Sequence, residues 1–336
     1  MEQDSFIKIK DISNIIPDRV KDSHKGDYGK VALLGGAVEY SGAIRLAAYA
    51  LSALKSGAGL STLAIPKFLV PIVSQNVLEV MLYPIDSTDD EILFNKDNID
   101  GLLNKVQVLT CGMGLGKSEE AYKIVYYIIE NFSGRLVLDA DALNILSKNV
   151  SILNKSKARI ILTPHMMEFK RLYDGMLNIG AKNNFVGATH CEPTSVGSST
   201  ASPKTVGASY ASPDFETFKK NSLTYAKEFV ENYNITLLLK GPITYILSKD
   251  ASIKISAVNR GTPGMSTAGS GDVLSGIIAG LLGYISDNHN AAVAAAYVNG
   301  LAGELAAKDI GEISMTASDT VKHIPDAIKQ IKNQGL

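Results

Sequence analysis

NRGTPGMSTAGSGDVLSGIIAG, residues 259–280, joins a glycine-rich turn to an apolar run. Thr267-Ala268-Gly269-Ser270-Gly271-Asp272 stands directly before Val273, Leu274, Ile277 and Ile278, whose spacing predicts a helix over roughly Asp272–Leu282. Glycines let successive backbone N–H groups turn towards one point, and a helix start adds the positive end of its dipole. Together they form a cradle for a phosphate, or for the charge that develops as one transfers. Asp272 sits at the rim. A carboxylate there either takes the proton from a hydroxyl attacking phosphorus or simply starts the helix. The stretch is not a Walker A loop, because no Gly-Lys-Ser/Thr follows the glycines. It is not a Rossmann fingerprint either, because it lies late in the chain and Asp272 already opens the helix.

Upstream, short apolar runs alternate with helix-length segments. Val31–Leu34 ends in Gly35-Gly36 and reads as a buried strand. Ala43, Leu46, Ala47, Ala50 and Leu54 repeat at helical spacing, and Gly57-Ala58-Gly59 stops that helix. Leu60–Ile65, Val106–Thr110, Leu136–Leu138, Ile160–Leu162 and Ile235–Leu239 read as further strands, apolar on both faces, as a parallel sheet covered by helices requires. Thr244–Leu247 and Ser252–Ser256 read as a hairpin turning near Lys249-Asp250, and a further helix covers roughly Ala291–Ala307. The alternation predicts one α/β domain over residues 1–336: a three-layer sandwich with a mostly parallel central sheet and helices on both faces. Residues 187–212, rich in Ser, Thr, Ala, Gly and Pro, have little to bury and read as a flexible surface insertion, a tolerated loop or a lid.

Bulk properties narrow the class. A net charge of −1 gives no electrostatic footprint for nucleic acid or an anionic membrane. Cys111 and Cys191 are too few for a disulfide framework in 336 residues, which favours a reducing, cytoplasmic setting. The start, MEQDSFIKIKDISN, has no apolar segment of a signal peptide, and the runs near Ile277–Ile285 and Ala291–Val298 are too short to span a bilayer.

Other candidate residues lie at predicted strand ends, where open α/β sheets bind ligands. Gly112, Gly114 and Gly116 either approach a ligand or make a tight strand-to-helix turn. Asp139 is a candidate site residue, while Asp141 is better placed to start the next helix. His165 and Glu168 have no third ligand nearby for zinc, and His190-Cys191 lacks a partner pair.

These segments resemble, in order, the NAD(P)H-hydrate dehydratases of the ribokinase-like superfamily. The resemblance is carried by HKGDYGKV (residues 24–31), Ser41-Gly42-Ala43-Ile44, Lys55-Ser56-Gly57-Ala58-Gly59 and Cys111-Gly112-Met113-Gly114-Leu115-Gly116. It continues through VLDADALN (137–144), Thr163-Pro164-His165 with Glu168, Leu239-Lys240-Gly241 with Thr244, and GTPGMSTAGSGDVLSGIIAGLLG (261–283). It implies a ribokinase-like fold. It also implies repair of hydrated nicotinamide cofactors: the ring hydroxyl of the S epimer of NADHX or NADPHX is phosphorylated by a nucleotide, and phosphate then leaves to restore NADH or NADPH.

By that resemblance Asp272 is the catalytic base, and Ala268, Gly269, Ser270 and Gly271 form the anion hole. Ala43, Gly114, His165 and Asp272 contact the hydrate. Lys240, Gly241, Thr244 and Gly271 hold the adenine nucleotide, and Glu168 helps place Mg²⁺ through water. The phosphate donor is ADP or ATP, and the bacterial look of the chain favours ADP. The resemblance further implies a homo-oligomer, commonly a tetramer, and no epimerase domain in front, so that epimerisation falls to a separate protein. Met113, Met166-Met167 and Thr262 depart from the family pattern around the expected site, and Asn299-Gly300 stands where relatives carry His-Gly. The competing expectation is a kinase of the same superfamily acting on a vitamin-precursor alcohol, with the same cradle and base but a phosphorylated product.

Overall fold

The computed structural model describes residues 6–52, 56–75, 77–186 and 212–334. The insertion read at 187–212 therefore lies outside the described residues, apart from Ser212. Nine strands form one sheet: β1 (Lys30–Leu34), β2 (Leu60–Pro66), β3 (Met81–Ile85), β4 (Val108–Cys111), β5 (Arg135–Leu138), β6 (Arg159–Leu162), β7 (Ile235–Leu239), β8 (Thr244–Lys249) and β9 (Ile253–Val258). The spatial order is β3-β2-β1-β4-β5-β6-β7-β8-β9. Strands β1 to β7 pair in parallel, and β7-β8 and β8-β9 pair antiparallel.

Side-chain alternation explains why these short runs had to be apolar throughout. Val31 and Leu33 enter one core, while Ala32 and Leu34 enter the other. The same split sends Val108 and Val137 one way and Leu109 and Leu136 the other. The first core is closed by the helices Ser41–Ser52, Ser270–Leu282, Asn288–Ile310 and Ala317–Gln334, and the second by Glu119–Asn131, Asp141–Leu146, Met166–Val186 and Ser222–Asn232. Sequence reasoning missed β3. Its run Met-Leu-Tyr-Pro-Ile contains Pro84, which is tolerated because β3 is an edge strand.

Two details of packing position the site. The helix Ser270–Leu282 buries Val273, Ile277, Ile278 and Leu281 completely, each side chain contributing about 1.5–3 kcal/mol. It also lies so close to Ser41–Ser52 that a Cβ on Gly276 would stand 2.2 Å from the Ala47 carbonyl oxygen. The helix start that carries Asp272 is thus locked against the helix that carries Ala43. Strand order reverses beside β1: β2 and β3 extend to one side and β4 begins the other. A crevice opens outside the carboxyl ends of the strands at such a reversal, which is where ligands bind in open α/β sheets.

Candidate active site

At that reversal lies a cleft of about 770 Å³. The segment after β1 supplies Ala37, Val38, Glu39, Tyr40 and Ala43 to its wall; the loop after β4 supplies Gly114 and Gly116; Asp141 and Asp272 complete it from the other side. Gly114 has φ +59°, and a Cβ there would come within 2.6 Å of the Tyr40 carbonyl oxygen, so the two loops approach as only glycine allows. Asp141 is the first residue of its helix, as read from the sequence, and its carboxylate also accepts the Gly116 N–H at 3.0 Å. Ala140, just before it, holds a positive φ of 49°. Such strain costs about 1–3 kcal/mol and gathers at functional sites.

The glycine-rich turn is bent as expected. Gly269 takes the left-handed conformation (φ +93°) as N-cap, and the helix begins at Ser270. Among the described residues, none accepts from the backbone N–H groups of Ala268, Gly269, Gly271 or Asp272, the unsatisfied donors that an anion would fill. Ser270 differs from the other three expected donors. Its N–H turns to the Thr267 carbonyl at 3.4 Å, and its hydroxyl ties the turn to the Met265 carbonyl at 2.7 Å.

Asp272 lies in the first turn of this helix. Burial lifts its carboxyl from 3.8 to about 7; Asp139 and Asp141 push the same way, and Lys240 opposes them. A carboxylate poised there is matched to proton transfer near neutrality.

Beside the cradle stands a buried charge cluster. Lys240, directly after β7, donates its Nζ–H to Asp139 Oδ1 at 2.9 Å and lies 4.0 Å from Glu168 Oε2. Asp139 is 1% exposed, and its Oδ2 accepts from Ser275 Oγ at 2.6 Å. Burial alone would raise the Asp139 carboxyl, but the Lys240 charge and hydrogen bonds from Ser275, Lys240 and Thr163 hold it below the usual carboxylate range. Burial likewise opposes the Lys240 charge, and Asp139, Glu168 and Asp272 outweigh it, raising the ammonium above its ordinary value.

Glu168 is also buried, which raises its carboxyl against the pull of Lys240. Its Oε2 accepts the His165 N–H at 2.9 Å. His165 Nδ1 in turn accepts from the N–H groups of Met167 (3.1 Å) and Glu168 (3.4 Å), which places the ring proton on Nε2. Burial lowers the His165 pKa, and the charges of Lys240 and Arg171 add to this. Gly241 and Thr244 follow Lys240 at the turn into β8, where the Thr244 hydroxyl faces the Gly241 carbonyl at 3.5 Å.

The sequence-derived residues thus fall into two adjoining groups. Ala43, Gly114 and Asp272 line the cleft; His165, Glu168 and Lys240 form the charge cluster, with Gly241 and Thr244 beyond it. Gly271 links them, since a Cβ on it would stand 3.4 Å from Lys240 Nζ. Sequence reasoning missed Ser275 and the cleft wall of Val38, Glu39 and Tyr40. The signal for Ser275 was available, because it lies one helical turn after Asp272.

The departures from the family pattern sit mostly off the cleft. The Met113 side chain is fully buried in the core, and its backbone carbonyl receives the Gly36 N–H at 3.1 Å. Met166 packs on the second core, whereas Met167 is exposed. The Thr262 hydroxyl caps the short turn Pro263–Met265 and donates to Glu312.

Among the described residues no three His, Cys, Asp or Glu side chains cluster as a metal cage, and no helix is long and apolar enough to cross a membrane. Cys111 is buried in β4, which raises its thiol pKa and removes it as a nucleophile. His289, far along the chain, is wired to Ser248 and Ser256 at 2.8 Å each, and burial lowers it to about 4, leaving it neutral.

Known proteins resemble this chain in sequence and in fold. The family model described as NAD(P)H-hydrate dehydratase matches residues 31–195 and 201–326. The chain is 33% identical over 322 residues to a bifunctional NAD(P)H-hydrate repair enzyme of Moorella thermoacetica, covering 95% of this chain and 53% of that one. It thus spans about half the length of the bifunctional relatives it matches. It is 29% identical over 331 residues to the ADP-dependent (S)-NAD(P)H-hydrate dehydratase of Staphylococcus aureus, covering 98% of this chain and 99% of the relative. The solved ADP/ATP-dependent NAD(P)H-hydrate dehydratase of Bacillus subtilis, co-crystallised with ATP/Mg²⁺, superposes with a TM-score of 0.73 at 22% identity, covering 97% and 98% of the two chains. That likeness shows the fold, the ribokinase-like sandwich expected from the sequence.

Proposed function

Because this chain belongs to the NAD(P)H-hydrate dehydratase family, we propose that it restores NADH or NADPH from the S epimer of the hydrated cofactor at the expense of a nucleotide phosphate. The observation that carries the reading is the placement of Asp272: a carboxyl raised to about 7 at the rim of a helix start whose Gly271 and Asp272 N–H groups have no acceptor among the described residues.

The ring hydroxyl of the hydrate attacks the terminal phosphorus of the nucleotide. Its proton passes to the Asp272 carboxylate, the new O–P bond forms, and the bond to the leaving nucleotide breaks. The ring nitrogen's electron pair then expels phosphate with the C–O bonding pair, and loss of a proton from the neighbouring carbon restores the ring double bond. Donors of the cradle, at Ala268, Gly269 and Gly271, hold the equatorial oxygens as charge spreads over them. Ser270 contributes mainly by fixing the turn through Met265. Ala43 and Gly114 line the place of the nicotinamide end, with His165 Nε2–H as a donor to the hydrate.

Lys240, Gly241, Thr244 and Gly271 hold the nucleotide. Either ADP or ATP serves as donor, and the ADP dependence of the Staphylococcus aureus relative favours ADP. A single buried carboxylate, Glu168, fits a Mg²⁺ held chiefly by phosphates and water, reached through that water. When bound, such an ion neutralises phosphate charge during transfer. The R epimer requires an epimerase activity. Association of copies is supported by exposed Leu78 and Met81, just before and at the start of the edge strand β3.

The test is product analysis after incubation with the S epimer of NADHX, Mg²⁺ and ADP or ATP. Inorganic phosphate appearing in step with reduced cofactor is the expected outcome. A stable phosphorylated alcohol, released without reduced cofactor, would transfer the assignment to a vitamin-precursor kinase of the same fold.

A further inference from the structure

The sequence offers Asp139 as a candidate site residue without a role, and its two oxygens connect the elements that carry the chemistry. Oδ1 receives Lys240 from the end of β7, and Oδ2 receives Ser275, one turn behind Asp272 on the helix Ser270–Leu282. Its own backbone is pinned: the Asp139 N–H donates to the Cys111 carbonyl at 3.1 Å, and the absence of a side chain on Gly112 admits the Asp139 carbonyl, which a Cβ would meet at 2.0 Å. Lysine has a long flexible stem and a second carboxylate, Glu168, within 4.0 Å, so its position is not fixed by charge alone. The shorter contact to a carboxylate buried at 1% exposure decides it.

We propose that Asp139, braced by Ser275, is a positioning residue: it holds the Lys240 ammonium beside Gly271 and ties it to the helix of Asp272. A phosphoryl group in the cradle then meets the ammonium on one side and the base on the other. The inference rests on the phosphoryl-transfer reading above. Lys240 contacts the nucleotide; Asp139 acts through it.

The test uses the full chain with Asp139→Asn and, as the milder change, Ser275→Ala. The first readout needs no substrate: the rate at which an amine-acylating reagent labels Lys240, resolved by peptide mass spectrometry, with Lys254 and Lys322 as internal references. Release of the clamp is expected to raise the Lys240 rate about tenfold in Asp139→Asn and less in Ser275→Ala, the loss of a charged hydrogen bond being worth roughly that factor, with the reference lysines unchanged. The second readout is steady-state kinetics, where kcat falls by a similar factor and any rise in KM for ADP is the smaller effect. An unaltered Lys240 labelling rate in both variants overturns the proposal. A rise in KM for ADP with kcat unchanged also overturns it, since the ammonium would then serve only to bind. Absence of turnover in the unmutated protein would instead strike the functional reading, and the labelling rates would still judge the clamp.

Discussion

Asp272→Asn is expected to lose turnover by about 10²- to 10⁴-fold, the usual contribution of a positioned base, while keeping its fold and nucleotide affinity. The amide is nearly the same size and cannot accept the hydroxyl proton. Asp272 faces Asp139, Asp141 and Lys240, and its raised carboxyl sets the pH dependence. The base acts when ionised, so activity of the unmutated protein should rise with pH to a plateau, with its midpoint near pH 7. Stability moves the opposite way. The fold favours the neutral carboxyl, so that contribution is present in acid and is lost as pH rises from 3.8 through about 7. The Asn variant should therefore gain Tm over the unmutated protein at pH 8 and show little gain near pH 4. Near-normal turnover in Asp272→Asn would remove the residue from the chemistry.

Lys240→Met is expected to cost about 3–5 kcal/mol in urea unfolding, because it strands the buried Asp139 carboxylate without its counter-charge. Ser275 supplies a hydrogen bond but no positive charge. Adding Asp139→Asn should recover much of that stability, since a neutral amide in the same place carries no uncompensated charge. Activity should stay lost in the double variant, because the ammonium is gone. A single variant within about 1 kcal/mol of the unmutated protein, the size of an exposed ion pair, would show that water reaches Asp139 and that the pair is not a buried one.

Much of this is legible in the sequence. The runs at β1, β2 and β4 to β7 are apolar at every position because each strand feeds two cores, and that pattern gave the parallel sheet. The glycine-rich turn before Val273 gave the cradle, and the first turn of the helix gave Asp272. Strand β3 was hidden by Pro84 and by its edge position, where periodicity is weak. The clamp was hidden for a different reason. Asp139 finds Lys240 at a separation of 101 residues and Ser275 at 136, and no local pattern reports contacts of that span. Met113 shows the converse limit: it departs from the family pattern inside a site motif, yet its side chain serves the core. Asp141 opens its helix as its place in the sequence indicates, and the folded loops add a bond from the Gly116 N–H to its carboxylate.

The central claim is nucleotide-driven repair, and a coupled absorbance measurement tests it most directly. Purified protein is mixed with the S epimer of NADHX and Mg²⁺, with ADP, with ATP, or with neither. The account predicts growth of the reduced-nicotinamide band only when a nucleotide is present, and the more effective nucleotide identifies the donor. A folded protein that produces no band with either nucleotide, or the same band without one, would contradict it.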